Sequence, residues 1–289
     1  MSQIYVVDLF CGCGGFSTGA LLAGKIVILA IDNWSKALEV HKFNHPTTKH
    51  INMELGGDLE EMCKLIKSYI PEGEKIHLHG SPPCQNLSVA NRVSGNEKEG
   101  MRLVNWYLDL VKLCKPHSWS MEQVIGARHH LSEGDFDQFH IINTQDYKVP
   151  QTRKRLFIGS GWTLPKKIGT LNLLDRLPYL ENEKIYYVKG YSNTRSVRQN
   201  GVHIGNVKNT GRQGFRSIYE PTYTLCAAGP LQFYDESLTK IRAITHREAL
   251  QIQGFPDSYK IPEKMPSTHI YKMIGNAVSP IISKLINGG

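Results

Sequence analysis

The chain contains no stretch of about 20 consecutive apolar residues, the length a helix needs to cross a bilayer. Its opening, "MSQIYVVDLF", is too short and too acidic for a secretory or organellar leader, so an intracellular protein is expected. Cysteine is sparse and follows no framework spacing. The six residues (Cys11, Cys13, Cys63, Cys84, Cys114 and Cys226) read as free thiols rather than a disulfide scaffold. Cys11-x-Cys13 has no second pair nearby, and neither His77-x-His79 nor His129-His130 has partner ligands. No metal site is expected, and these histidines read as surface or core residues. Both common phosphate-binding loops are missing. A G-x-G-x-x-G begun at Gly12 needs a third glycine where Ser17 stands, and G-x-x-x-x-G-K-[ST] occurs nowhere. There is no internal repeat and no low-complexity tract.

What remains is a chain of 289 residues, 40% hydrophobic and 21% charged, enough for a sizeable core in one large domain with a smaller one attached. The net charge is +8, which favours polyanionic partners. Residues 162–215 hold nine Lys/Arg against three acids, a local charge of +6. That stretch suits a phosphate-facing patch or a solvated variable surface.

Strand and helix patterns alternate from the start. "IYVVDLF" (4–10) reads as a buried strand, "CGCGG" as a tight loop, "FSTGALLAG" as a helix, "KIVILAID" as a strand and "SKALEVHKF" as a helix. "LEEMCKLIKSYI" and "GMRLVNWYLDLVKLCK" repeat apolar residues at helical spacing. "EKIHLHG", "SWSMEQV", "FHIINTQDY" and "RLFIGSG" read as strands. This is the opening of a doubly wound α/β sheet. Periodicity weakens from about Trp162 to Phe215. The chain then resumes with a helix entered at Thr245, with Glu248 as its capping-box partner, and a closing turn and helix over 271–286. The expected division is 1–161 as the first part of a catalytic domain and 162–215 as a small, irregular domain. Residues 216–289 complete the small domain and return to the first.

The glycine turn "DLFCGCGGFSTG" should lie at the carboxyl end of the first strand, where the missing Cβ atoms let backbone approach a ligand. Asp32 ends the second strand, where a carboxylate can accept from both ribose hydroxyls of a nucleoside. Phe10 adds an aromatic face. A nucleoside without pyrophosphate fits these parts, with S-adenosylmethionine the foremost candidate. A glycine-rich turn with no ligand is the plainer alternative.

"GSPPCQNLS" (80–88) stiffens the backbone twice just before Cys84. It follows a strand, so the thiol should stand at the ligand-binding edge. Another strand end delivers Glu122. Arg153 and Arg155 alternate on what should be a strand, so both could point to one face. A thiolate can add to an electron-poor ring carbon, a carboxylic acid can protonate a ring nitrogen, and arginine can hold a carbonyl oxygen. The ring that suits all three is a pyrimidine.

With these blocks in hand, the chain resembles the DNA (cytosine-5) methyltransferase family. "DLFCGCGGFSTG", "GSPPCQNLS", "MEQV", "DYKVPQTRKR", "RSIYEPTYTL", "THREALQIQGFPD" and "YKMIGNAVSP" follow the family's order, covering roughly 4–160 and 216–287. The resemblance implies an S-adenosylmethionine-dependent methyltransferase (Rossmann-like) sheet, with 162–215 as the target-recognition domain. It implies that Cys84 attacks C6 of the target cytosine and that Glu122 protonates N3. Arg155 and Arg153 would orient the base. Phe10, Gly12, Cys13, Gly15, Asp32, Asn33, Asn52, Met53, Pro82, Leu103, Asn276 and Val278 would line the cofactor pocket, while Gln151 and Tyr147 look structural. Residues 85–100 are similar to the family's mobile loop, with Gly95 and Gly100 as hinges. The implied partner is double-stranded DNA, acted on by a monomer without metal or membrane. RNA as substrate, or an idle DNA-binding relative, are the alternatives.

The chain departs from the family pattern at several positions. Gln123 stands where the family has asparagine, Lys148 where it prefers glycine, and Asn52 where it often has an acid. Only twenty residues separate Glu122 from Asn143. A helix and a strand usually fill that interval, so a trimmed sheet flank is expected.

Overall fold

Apolar and β-branched runs at Ile4–Leu9 (β1), Ile26–Asp32 (β2) and Lys75–Gly80 (β4) form the middle of a seven-stranded sheet. The computed structural model describes residues 3–83, 97–164, 166–190, 194–199, 202–208 and 215–289. Of these, 97–100, 194–199 and 202–208 are described in backbone only. Lys49–Asn52 (β3), Ser118–Gln123 (β5), Gln138–Asn143 (β6) and Lys154–Ser160 (β7) complete the sheet. The order is β3-β2-β1-β4-β5-β7-β6, with β1 to β5 parallel and β7 antiparallel to both of its neighbours. Helices cover both faces, so β1 is a near-continuous buried run rather than an alternating one.

On one face, Val7, Leu9 and Leu78 pack against Leu59–Ser68 (α3) and Glu97–Cys114 (α4). On the other, Val6 and Phe157 pack against Gly15–Leu22 (α1) and Pro280–Ile286 (α8). The two helices of this second face touch closely. A Cβ at Gly15 would lie 2.1 Å from the Val278 carbonyl oxygen, and one at Gly19 would lie 2.3 Å from that of Pro280. Ser35–Asn44 (α2) follows β2.

The expected trimming of the flank does not occur at the level of the sheet. β6 is present, and it pairs with β7 along its whole length. What the short interval lacks is the helix. Two 3-10 turns, Ile125–His130 and Glu133–Asp135, take its place. Buried Ala127, with Leu131, Phe136 and Phe139, closes the core there, and the Phe136 ring lies 6.1 Å from Trp119.

The second unit is more regular than its composition suggests. After Leu173–Arg176 (α5), strands Tyr187–Lys189 (β8), Phe215–Ser217 (β11), Gln232–Tyr234 (β12) and Lys240–Ala243 (β13) form an antiparallel sheet in the order β11-β8-β12-β13. Thr194–Gln199 (β9) and Val202–Lys208 (β10) form a separate ribbon. The boundary drawn at 215 thus falls inside β11. His246–Gln253 (α6) and Ser267–Asn276 (α7) pack against this sheet. The predicted capping box is present: Glu248 N–H donates to Thr245 Oγ1 at 3.2 Å, and Glu248 Oε2 accepts from Thr245 N–H at 2.6 Å.

Buried Gln151, Gln253 and Arg153 help tie the returning segment to the approach to β7. Gln151 Nε2 donates to Gln253 Oε1 (2.7 Å), and Leu225 N–H donates to Gln151 Oε1 (2.7 Å). Arg153 Nη1 and Nη2 donate to the carbonyls of Leu225 and Ala277, each at 3.2 Å.

Candidate active site

The carboxyl ends of β1, β2, β4 and β5, together with the turn before α8, enclose a cavity of about 460 Å³. It lies where the strand order reverses between β1 and β4, the usual ligand crevice of an open α/β sheet. Of the residues the sequence assigned to a cofactor, Phe10, Gly12, Cys13, Asp32, Asn33, Pro82, Asn276 and Val278 line it. Gly15, Asn52, Met53 and Leu103 do not. Gly15 is the contact between α1 and the Val278 turn. Asn52 is exposed, its Nδ2 donating to the Asp32 carbonyl at 3.2 Å. Met53 packs sideways into the α3–α4 core, and Leu103 lies against Gly56.

The glycine turn is held from both sides. Asp32 Oδ2 accepts from Gly12 N–H and Oδ1 from Trp34 N–H, both at 2.8 Å. Burial raises the Asp32 pKa against these two donors. Asp8, one strand over, accepts from Ser17 Oγ at 2.6 Å and from Ser17 N–H at 3.2 Å. Its other oxygen, Oδ1, is buried without a protein partner, and Asp8 lines the cavity. Burial lifts the Asp8 carboxyl to about 7, with the Ser17 bonds opposing. Burial also pushes the Cys13 thiol to about 12 and Cys11 well above its ordinary value, which disfavours the thiolate at both. Among the described residues, no His/Cys/Asp/Glu group could hold a metal ion.

Glu122, at the end of β5, lines the same cavity, and its Oε1 meets Arg155 Nε at 3.0 Å. Arg155 begins on β7, where it stands one strand away from Glu122. Arg153 takes different partners. It precedes β7, is 2% exposed, and gives its guanidinium to the two carbonyls named above. Of the two arginines, Arg155 meets Glu122, while Arg153 bonds the carbonyl of Ala277, a residue of the same cavity wall. Cys84 lies outside the described residues, as does Gly95, whereas Gly100 lies inside α4. Pro82 and Pro83, immediately before Cys84, line the cavity.

Gln123 anchors this proline turn, its Nε2 donating to the Pro82 carbonyl at 2.6 Å. Lys148 adopts φ 58, the left-handed conformation a glycine would take without strain. The sequence reading missed Asp8, Trp34, Ser81 and Lys272 on the cavity wall. Trp34 directly follows Asp32-Asn33, so its position was available. Lys272 was not, because only folding brings α7 over the Trp34 ring, with Nζ 4.9 Å from its centroid.

Comparison with known proteins gives the same picture. The type II methyltransferase M.HindV of Haemophilus influenzae is 30% identical to this chain, over 97% of the chain and 94% of its own length. M.MthTI of Methanothermobacter thermautotrophicus is 28% identical over 94% and 92%. The fold matches that of Spodoptera frugiperda DNMT2 with a TM-score of 0.68 at 17% identity, covering 98% of both chains. The profile of C-5 cytosine-specific DNA methylases matches residues 4–164 and 163–287. That coverage takes in both the large sheet and the second unit, and the chain belongs to this family of DNA cytosine-5 methyltransferases.

Proposed function

We propose that the chain transfers a methyl group from S-adenosylmethionine to C5 of a cytosine in double-stranded DNA, through a covalent bond between Cys84 and C6 of a flipped-out base. The observation that carries this reading is that Glu122 and Pro83, the residue before Cys84, line one cavity together with Phe10 and Asp32.

The cavity's residues fit the cofactor. Its volume falls within the range of small-molecule sites. The unpartnered Asp8 Oδ1 suits a cationic group, and the Asp32 carboxylate keeps acceptor capacity for a hydroxyl beyond its backbone bonds from Gly12, Asn33 and Trp34. Phe10 supplies an apolar face. When bound, the cofactor supplies an electrophilic methyl group on a positively charged sulfur.

The target ring cannot be reached inside a duplex and must leave the stack, at a cost of a few kcal/mol. Cys84 as thiolate adds to C6 while Glu122 as acid gives a proton to N3, so the ring's electrons become available at C5. Arg155 holds the Glu122 carboxyl in place through its Nε contact and directs its remaining donors to the O2 carbonyl. Arg153 is a positioning residue that fixes the entry to β7. The second sheet, the β9–β10 ribbon and the basic stretch 162–215 form the surface that reads DNA.

Incubation with a duplex carrying 5-fluorocytosine and S-adenosylmethionine tests this. A stable protein–DNA adduct is expected, and it should vanish in Cys84→Ser. Turnover on RNA alone, or an adduct that survives Cys84→Ser, overturns the reading.

A further inference from the structure

Two strands at the centre of the sheet carry polar side chains where apolar ones belong. On β4 and the residue beyond it, His77, His79 and Ser81 alternate onto one face; on β5, Ser118, Ser120 and Glu122 do the same. The register pairs His77 with Ser118 and His79 with Ser120. His77, His79, Ser118 and Ser120 are all buried, between 0% and 4% exposed.

Their polar atoms form one unbroken series. Ser81 Oγ lies 2.8 Å from His79 Nε2, and His79 Nδ1 lies 2.8 Å from Ser120 Oγ. Ser120 Oγ lies 3.0 Å from His77 Nε2, and His77 Nδ1 lies 2.8 Å from Ser118 Oγ. The Phe16 ring stacks over both imidazoles, with centroids 3.5 Å from His79 and 5.7 Å from His77.

The two ends of the series open into different spaces. Ser81 lines the active-site cavity, at the carboxyl edge of the sheet. Ser118 and His77 line a second cavity of about 200 Å³ at the opposite edge, next to Ile4 and Lys25. Its rim includes the exposed residues Gly161, Thr163 and Gly288.

We propose that Ser81, His79, Ser120, His77 and Ser118 form a proton wire that carries the C5 proton of the target cytosine through the sheet to the second cavity. This rests on the proposed methyl transfer, because that reaction releases the proton. The final step breaks the C5–H bond, whose electron pair closes the C5–C6 double bond. The C6–S bond breaks with its pair returning to the Cys84 sulfur. The proton is taken up at Ser81 Oγ as Ser81 passes its own to His79 Nε2. His79 Nδ1–H passes to Ser120, the Ser120 proton to His77 Nε2, His77 Nδ1–H to Ser118, and the Ser118 proton to water in the second cavity. Each serine oxygen gains one proton and loses one, each imidazole gains one at Nε2 and loses one at Nδ1, each residue keeps its total, and one proton reaches solvent. Each imidazole is left as the Nε2–H tautomer, and a second turnover requires it to regain Nδ1–H by local exchange, since reversal of the series would carry the proton back.

This direction of transfer requires each ring to offer one acceptor and one donor, which only neutral imidazole does. Burial supplies that state, holding His77 near about 3 and His79 well below its ordinary value. A network that served packing alone would have no need of an opening at each end.

The test uses the full chain and a duplex tritiated at C5 of the target cytosine. Wild type should methylate the duplex and release tritium, with a curved proton inventory in mixed H2O/D2O. His79→Gln and His77→Gln keep hydrogen-bonding capacity but cannot relay a proton. Each should slow tritium release about tenfold or more, while adduct formation on 5-fluorocytosine DNA proceeds at the wild-type rate. Folded Gln variants that release tritium at the wild-type rate with an unchanged inventory overturn the wire. Absence of any methylation by wild type instead overturns the proposed function. If the variants do not fold, the wild-type side-chain N–H groups decide. A conducting series exchanges the His77 and His79 N–H protons with solvent far faster than the backbone amides of β4 and β5, and exchange at the slow amide rate overturns it.

Discussion

Glu122 Oε1 and Arg155 Nε meet at 3.0 Å across the end of β5 and the start of β7. The pair is largely shielded, with side-chain exposures of 11% and 19%, and Glu122 lines the cavity that Pro82 and Pro83 share. A carboxyl in this position is oriented by the guanidinium yet still borders the cavity in which the proposed reaction places the base. Glu122→Gln retains the shape and a hydrogen-bond acceptor but cannot give a proton. Methylation should fall about 10²–10⁴-fold, with DNA affinity nearly unchanged. Single-turnover methyl incorporation and a binding isotherm on the same duplex check this.

Lys148 is held at φ 58 by its N–H bond to the Gly169 carbonyl, at 2.9 Å. An L-residue in that conformation is strained by about 1–2 kcal/mol, part of which glycine returns through its freer unfolded chain. Lys148→Gly should therefore stabilise the protein by about 1 kcal/mol, seen as a higher urea midpoint at constant slope. A lower midpoint would show that the lysine side chain contributes more than the backbone loses.

Lys166 and Lys167 open the basic stretch, but their charges differ in availability. Lys167 Nζ is already 2.8 Å from Asp146 Oδ2, whereas Lys166 is exposed. Each phosphate contact lowers the salt slope of DNA affinity by about 0.9. Lys166→Gln should reduce that slope by about one contact and Lys167→Gln by less. Titrations of a fluorescent duplex over a range of salt concentrations separate the two.

Acid should destabilise the fold through its buried histidines. His77 is held near about 3 and His45 near about 4, each by burial, against an ordinary value near 6.5. The unfolded chain therefore binds protons that the folded chain refuses. Their stabilising contribution is complete above pH 6.5 and is lost as pH falls toward the folded values, roughly 3 kcal/mol from His77 alone by pH 4. Asp8 acts with the opposite sign. Its carboxyl, raised to about 7, contributes fully below its ordinary value of 3.8 and loses that contribution as pH rises through 7. Urea unfolding from pH 4 to 7 should give a rising midpoint. His77→Gln should flatten that rise and Asp8→Asn should steepen it.

The alternating pattern from Ile4 to Cys114 was legible because its strands and helices are long enough to show their period. Lys49–Asn52 and the strands of the second sheet, three or four residues each, were not legible. A run that short repeats no alternation, and its register is imposed by neighbours far away in the chain. Phe10, Asp32, Pro82 and Glu122 could be placed because they end strands. His77 and His79 were read as surface or core histidines. They are core residues, but their organisation with Ser118 and Ser120 depends on the register between β4 and β5.

The amino-acid order by itself determined the doubly wound start, the turn at Gly12, the capping box at Thr245 and the chemistry the strand ends offer. These follow from local backbone preference and hydrophobic period, which act within a few residues. Tertiary structure alone decided that Arg155 rather than Arg153 meets Glu122. It likewise decided that Asp8 and Lys272 border the cavity, and that two serines and two histidines align through the sheet. Each of these is a contact between segments tens of residues apart. Its distance is set by strand order and helix packing, which no local signal encodes.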